Sequence, residues 1–301
     1  MRNITTPLGL LGALFFCAGL LPADLVPDVR EAIAKNDFAR AAGYIQTYRS
    51  ERGETPESIL ALSWMARGAL GLKQYDQAEG YAQQTYDRSL ALLRKRPLDV
   101  EPDLPTALGA AIEVQGQRMA ARGDRTGAVQ YLESELKKYA ATSLNARIQK
   151  NINLLTLAGK PAPALRAVAL PKGKPALLFF WAHWCPDCRA EAPVLLKLNQ
   201  EFGPKGLAMI GPTQKYGYVA GGEEAPPAVE LKYIEQIRRQ FYYGLVNAPA
   251  PVSEENFRRW GVSTTPTLAL VDRQGIVRIY HPGAMTYEEL RREIQAVLAA
   301  P

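Results

Sequence analysis

The residues of this chain whose type and spacing can do chemistry are two cysteines three positions apart, Cys185 and Cys188, separated by Pro186 and Asp187. Two intervening residues let one helical turn bring the sulfurs within disulfide reach, so the pair can cycle between dithiol and disulfide. Two thiolates could also be half of a zinc site. A structural zinc takes four ligands, however, and the chain offers only Cys17, His183 and His281 besides the pair. We therefore expect no metal, and no cofactor other than the Cys185–Cys188 disulfide.

The elements around the pair must place it. Leu177-Leu178-Phe179-Phe180-Trp181-Ala182 is apolar without alternation, which reads as a central strand buried on both faces. Cys185 then falls at the N-cap of the following helix and Pro186 at its first position, where a missing N–H costs nothing. The free N–H groups and positive end of that helix favour a thiolate at Cys185, expected as the exposed, attacking sulfur. Cys188, one turn further in, is expected to be shielded and to resolve the mixed disulfide.

Further β-type runs at 207–211, 268–272 and 276–280 alternate with helical stretches, which implies an α/β sheet covered on both faces. This half begins after a Gly-Lys-Pro-Ala-Pro linker at 159–163, so the domain is placed at 158–301. From 24 to 157 the pattern is instead helical, with apolar residues at three and four and abundant alanine. A phrase recurs in it: Ala41, Ala78 and Ala128 are each followed three positions later by Tyr44, Tyr81 and Tyr131. A polar turn followed by a helix with one small and one aromatic position resembles tetratricopeptide-type helical hairpins, with unequal intervals and a loop at 97–105.

Residues 1–23 carry one charge, Arg2, before an apolar run of about 14 residues, too short for the ~20 of a spanning helix. We expect a cleaved signal peptide, with an uncleaved membrane anchor as the alternative, an export route to the periplasm, and an oxidising compartment in which two cysteines work as a pair. The 301 residues are 47% hydrophobic and 22% charged, ordinary globular usage that leaves room for two domains. A mean hydropathy of -0.17 argues against a multi-span membrane protein. The net charge of +6 is spread in doublets among acids on helical faces, so no nucleic-acid partner is expected.

Trp181-Ala182-x-Trp184-Cys185-x-x-Cys188-Arg189-x-Glu191-x-Pro193 resembles the thioredoxin superfamily, and within it the exported TlpA-like (ResA-like) thiol-disulfide oxidoreductases. The opening Gly159-x-x-Ala162-Pro163 and the closing Gly261-Val262-x-x-x-Pro266-Thr267 agree with it. The resemblance implies a thioredoxin fold after the helical domain, and a cis bond at Thr265–Pro266 beside the sulfurs. It implies that Trp184, Pro186, Thr265 and Pro266 border the substrate and that Glu191 assists proton transfer. Its partners would be protein thiols or disulfides and a membrane electron donor, with a protein partner for the helical domain.

The departures from that pattern matter too. Asp187 takes a place where many members have proline. At about 6 Å and an effective dielectric near 40 it would oppose a Cys185 thiolate by about 1.4 kcal/mol, about one pKa unit, so the pair is expected to be a reductant rather than a DsbA-like oxidant. Phe179 stands where cytosolic thioredoxins carry a buried aspartate, which leaves Glu191 or water to move protons. His183 either tunes Cys185 or is a surface imidazole. A longer excursion, with a loop at 217–227 and a helix at 228–243, brings Tyr216, Tyr218, Tyr233, Tyr242 and Tyr243, which either line a partner groove or pack the added helix.

Two other functions compete. A peroxiredoxin-type thiol peroxidase needs Thr or Ser three residues before its peroxidatic cysteine, and Ala182 holds that place. A helical-repeat binding protein with a secondary redox domain is the third reading.

Overall fold

The computed structural model describes residues 24–300. The expected signal peptide, Cys17 included, lies outside them. The first seven helices are α1 (Leu25–Ala34), α2 (Phe38–Arg52), α3 (Pro56–Gly71), α4 (Tyr75–Leu93), α5 (Asp103–Ala121), α6 (Arg125–Lys138) and α7 (Asn145–Thr156). Consecutive helices pack as hairpins, and α1, α3 and α5 lie side by side.

The repeated phrase in the sequence is a repeated turn in space. Asn36, Lys73 and Gly123 all have positive φ. The next residue then donates its N–H five residues back: Asp37 to Ala32 O at 2.9 Å, Gln74 to Ala69 O at 2.9 Å, and Asp124 to Met119 O at 3.0 Å. Two of these residues also cap the new helix, Asp37 accepting from Arg40 N and Asp124 from Gly127 N. Ala41, Ala78 and Ala128 are fully buried, as a small residue at a close helix contact must be, while Tyr44, Tyr81 and Tyr131 are half-buried at the rims. The stretch 97–105 is shorter as a loop than expected. Glu101 accepts from the N–H groups of Asp103 and Leu104 and so starts α5 inside it.

The remainder is a four-stranded mixed sheet with helices: β1 (Ala176–Phe180), α8 (Pro186–Phe202), β2 (Ala208–Ile210), α9 (Pro227–Phe241), α10 (Glu254–Trp260), β3 (Thr267–Val271), β4 (Val277–Pro282) and α11 (Tyr287–Ala299). The strand order is β2-β1-β3-β4, with β1 parallel to β2 and antiparallel to β3. Both faces are covered, which explains the unbroken apolar run in β1. Leu177 and Phe179 face a core shared with α8, α9 and α11, whereas Leu178 and Phe180 face one shared with α10. There Phe180 lies 5.6 Å from the rings of both Phe257 and Trp260.

The two halves meet where α7 packs against α10. Asn153 Nδ2 donates to Trp260 O at 2.8 Å, and Tyr280 Oη to Gly261 O at 2.9 Å. Gly261 ends α10 in the left-handed region at φ 61°, and a Cβ there would stand 2.7 Å from Lys150 N. The helical region therefore touches the segment that leads into Pro266. Among the described residues no helix is long and apolar enough to cross a membrane.

Candidate active site

Strand β1 runs out at Phe180, and the five residues after it form the turn that starts α8. Cys185 is the N-cap of α8 and Pro186 its first residue. The two sulfurs form a disulfide with S–S 2.12 Å and Cα–Cα 5.3 Å. Cys188 N–H points at Cys185 Sγ, 3.0 Å away, so the sulfur already occupies the place where a helix N-terminus stabilises negative charge.

One expectation is corrected here. Cys185 is not the exposed sulfur of the pair: it is 1% exposed and belongs to the same apolar core as Cys188. The neighbours carry the exposure instead, Trp184 at 45% and Pro186 and Asp187 in solvent.

Register places the proline loop beside this turn. Phe180, the last residue of β1, pairs with Thr267, the first of β3. The Thr265–Pro266 bond just before it is cis. Thr267 Oγ1 donates to Thr264 O at 2.6 Å and Gly283 N to Pro266 O at 2.8 Å, which fixes the loop from both sides. Between Trp184 and this loop lies a cavity of about 330 Å³, lined also by Gln214, Tyr216 and Val262.

Glu191, one turn after Cys188 and so on its face of α8, is buried rather than on the helix surface, at 4% exposure. Burial pushes its carboxyl up to about 6, against the pull of a hydrogen bond from Met285 N at 3.3 Å and with help from Glu289. Phe179, in the place of an aspartate, is core and packs on Tyr242. Glu191 is thus a buried acid one turn of α8 beyond Cys188.

His183 is likewise no surface imidazole. It is buried, with Nε2 3.2 Å from Glu230 Oε1, and Tyr216, Tyr218 and Tyr233 stand edge-on around it at 5.3 to 5.5 Å. Burial holds its pKa below the ordinary value, with Glu230 pulling the other way and Arg189 adding to the depression. Arg189 donates to His183 O at 3.0 Å and lies 4.6 Å over Phe241. Its contacts are with the turn and with α9.

The five tyrosines divide between the two readings. Tyr242 is core, 4.7 Å from Trp181, and Tyr233 and Tyr218 serve the histidine, while Tyr216 does both jobs, since it also meets Trp184 at 5.5 Å and lines the cavity. Tyr243 is 64% exposed. Sequence reasoning missed Glu230 and Thr213. Thr213 Oγ1 donates to Trp181 O at 2.7 Å inside the fold, and nothing in its sequence surroundings announces that. Glu230 could have been noticed as an acid on the buried face of a predicted amphipathic helix.

A buried two-cysteine pair at a helix N-terminus, facing a cis-proline loop at the end of a mixed sheet, defines a thioredoxin-like thiol-disulfide oxidoreductase. A family profile described as a thioredoxin-like domain matches residues 164–298. The chain belongs to the DsbE-like family of thiol:disulfide interchange proteins: it is 30% identical over 154 residues to the thiol:disulfide interchange protein DsbE of Xylella fastidiosa, covering 48% of this chain and 70% of that one. It is 28% identical over 150 residues to the thioredoxin-like protein YneN of Bacillus subtilis, covering 48% and 75%. Among solved structures, a thioredoxin family thiol:disulfide interchange protein from Chlorobium tepidum matches 47% of this chain and 97% of its own at 20% identity, with a TM-score of 0.37.

Proposed function

We propose that this oxidoreductase is exported and works as a reductant of protein disulfides. The observation that carries the reading is the setting of the pair: Cys185 at the N-cap of α8, an exposed Asp187 in front of it, and the buried Glu191 one turn behind Cys188. In the dithiol form, the Cys185 thiolate attacks one sulfur of a substrate disulfide. That S–S bond breaks, one substrate thiolate leaves, and a mixed disulfide forms at Cys185. Cys188 gives its proton to Glu191 and attacks Cys185 Sγ, so the second substrate thiolate leaves and the Cys185–Cys188 disulfide closes. Two electrons pass to the substrate, and a membrane-held dithiol would return them.

Asp187 supports the direction, since negative charge beside Cys185 disfavours its thiolate and so makes the dithiol a better reductant. The test uses purified protein with insulin and dithiothreitol. Accelerated insulin reduction, lost in Cys185→Ser, is expected; peroxide consumption without it would overturn the reading. A reduction potential near the -120 mV typical of DsbA-type oxidants would overturn the direction.

A further inference from the structure

The cavity between Trp184 and the proline loop does not end at the redox domain. A second cavity of about 260 Å³ shares Gln214, Phe257 and Val262 with the first, and its far wall is Thr142, Asn145 and Ala146 of the helical region. The two form one trough from Trp184 to the α6–α7 turn.

Its lining indicates what would fit. Hydroxyl and amide side chains are interspersed with Trp184, Phe257 and Val262, and the backbone N–H groups of Ser263, Thr264 and Thr265 have no hydrogen-bond partner among the described residues. Ser263 and Thr264 are exposed. Unpaired main-chain donors beside neutral polar side chains suit the main chain of an extended polypeptide, which presents a carbonyl at every residue. The charges on the trough are Glu254 and Arg258 near its helical end, and neither forms an ion pair among the described residues. They are free to meet charges on an occupant.

We propose that the helical region is one wall of the substrate site. An extended segment of the substrate, its cysteine at Cys185, runs past Val262 and Gln214 and is read on one flank by the α6–α7 turn. The occupant is thus an unfolded stretch or open loop of a protein, not a small disulfide. This rests on the thiol-exchange reading above.

The experiment uses the full chain and peptide mixed disulfides, with flanks of two or eight residues on either side of the cysteine, and hydroxyethyl disulfide as the small probe. Lengthening one flank, and not the other, is expected to raise kcat/KM by about tenfold through KM. In Ala146→Trp, which fills the far end, the long-to-short ratio is expected to fall to within about twofold of one. Asn145→Glu adds an acid at the first residue of α7, where a helix tolerates it, and is expected to favour lysine over glutamate in the distal flank by about two- to fivefold. Equal KM values for all flank lengths, or ratios unchanged in both variants, would overturn the proposal. Failure with hydroxyethyl disulfide as well would remove the underlying exchange reading and the proposal with it.

Discussion

His183 Nε2 lies 3.2 Å from Glu230 Oε1, a pair that joins the residue two positions before Cys185 to the first turn of α9. Glu230 also accepts from Tyr216 N and from Gly217 N at 3.0 Å, and Tyr216 supports Trp184. The carboxylate thereby ties the active-site turn, the cavity wall and the added helix together. Replacing it leaves the N–H groups of Tyr216 and Gly217 and the buried imidazole of His183 without their partner. Glu230→Ala is expected to lose about 3 kcal/mol in urea unfolding and to raise KM for peptide disulfides more than it lowers kcat. Unchanged stability would contradict the assignment.

The same pair gives a pH dependence. Burial holds the folded pKa of His183 below its unfolded value of 6.5. The unfolded chain then binds more protons below that value, so this contribution to stability is full above about pH 6.5 and lost as the pH falls. His183→Gln is expected to flatten the decline of the melting temperature between pH 7.5 and pH 5. An identical decline in both proteins would assign it to other groups.

Glu191 acts with the opposite sign. Its folded pKa of about 6 lies above the ordinary 4.5, so the stability it contributes is full below about pH 4.5 and lost as the pH rises through 6. Glu191→Gln keeps the neutral shape and is expected to gain about 3 °C over the unmodified protein at pH 7.5 but nothing at pH 4.5. Its disulfide exchange should also lose the rise centred near pH 6, with a rate at pH 7.5 lower by on the order of 10²-fold. Retention of that rise would sink the proton-transfer role.

Asp187 is exposed, so its effect must be screened by salt. Asp187→Asn is expected to lower the Cys185 thiol pKa by up to about one unit at low ionic strength and by less in 0.5 M salt, with the pair becoming more oxidising in step. Thiolate absorbance against pH is the measurement, and a raised pKa would reverse the argument.

Gly261→Ala tests the seam between the halves. The left-handed φ of 61° and the 2.7 Å approach to Lys150 N both oppose a side chain, and a loss of about 2 kcal/mol is expected with weaker peptide exchange. A variant as stable as the parent would mean that the seam yields.

The parts of the site legible in the sequence were those written locally. Cys185, Cys188 and the start of α8 are one contiguous phrase, and Pro266 sits in a phrase of its own that β1–β3 register then brings alongside. The strands were legible because each is a short apolar run between helical stretches. Burial of Cys185 was not, because the residues that enclose it come from other elements. The His183–Glu230 contact spans 47 positions, and no local pattern tells a histidine which carboxylate will meet it. The docking of α7 at Gly261 was hidden for the same reason: a glycine before a strand reads as a turn until another backbone is seen against it.

The turn repeated at Asn36, Lys73 and Gly123 has a bearing on how such a chain can change length. Each hairpin in a helical stack leans on its neighbours alone, so hairpins can be gained or lost at the amino-terminal end without disturbing anything beyond the adjacent one. The other end has no such freedom, because α7 is keyed to Gly261 at the edge of the redox centre. Growth of this molecule is directional: its reach is open to revision at one end, and its grip is set at the other.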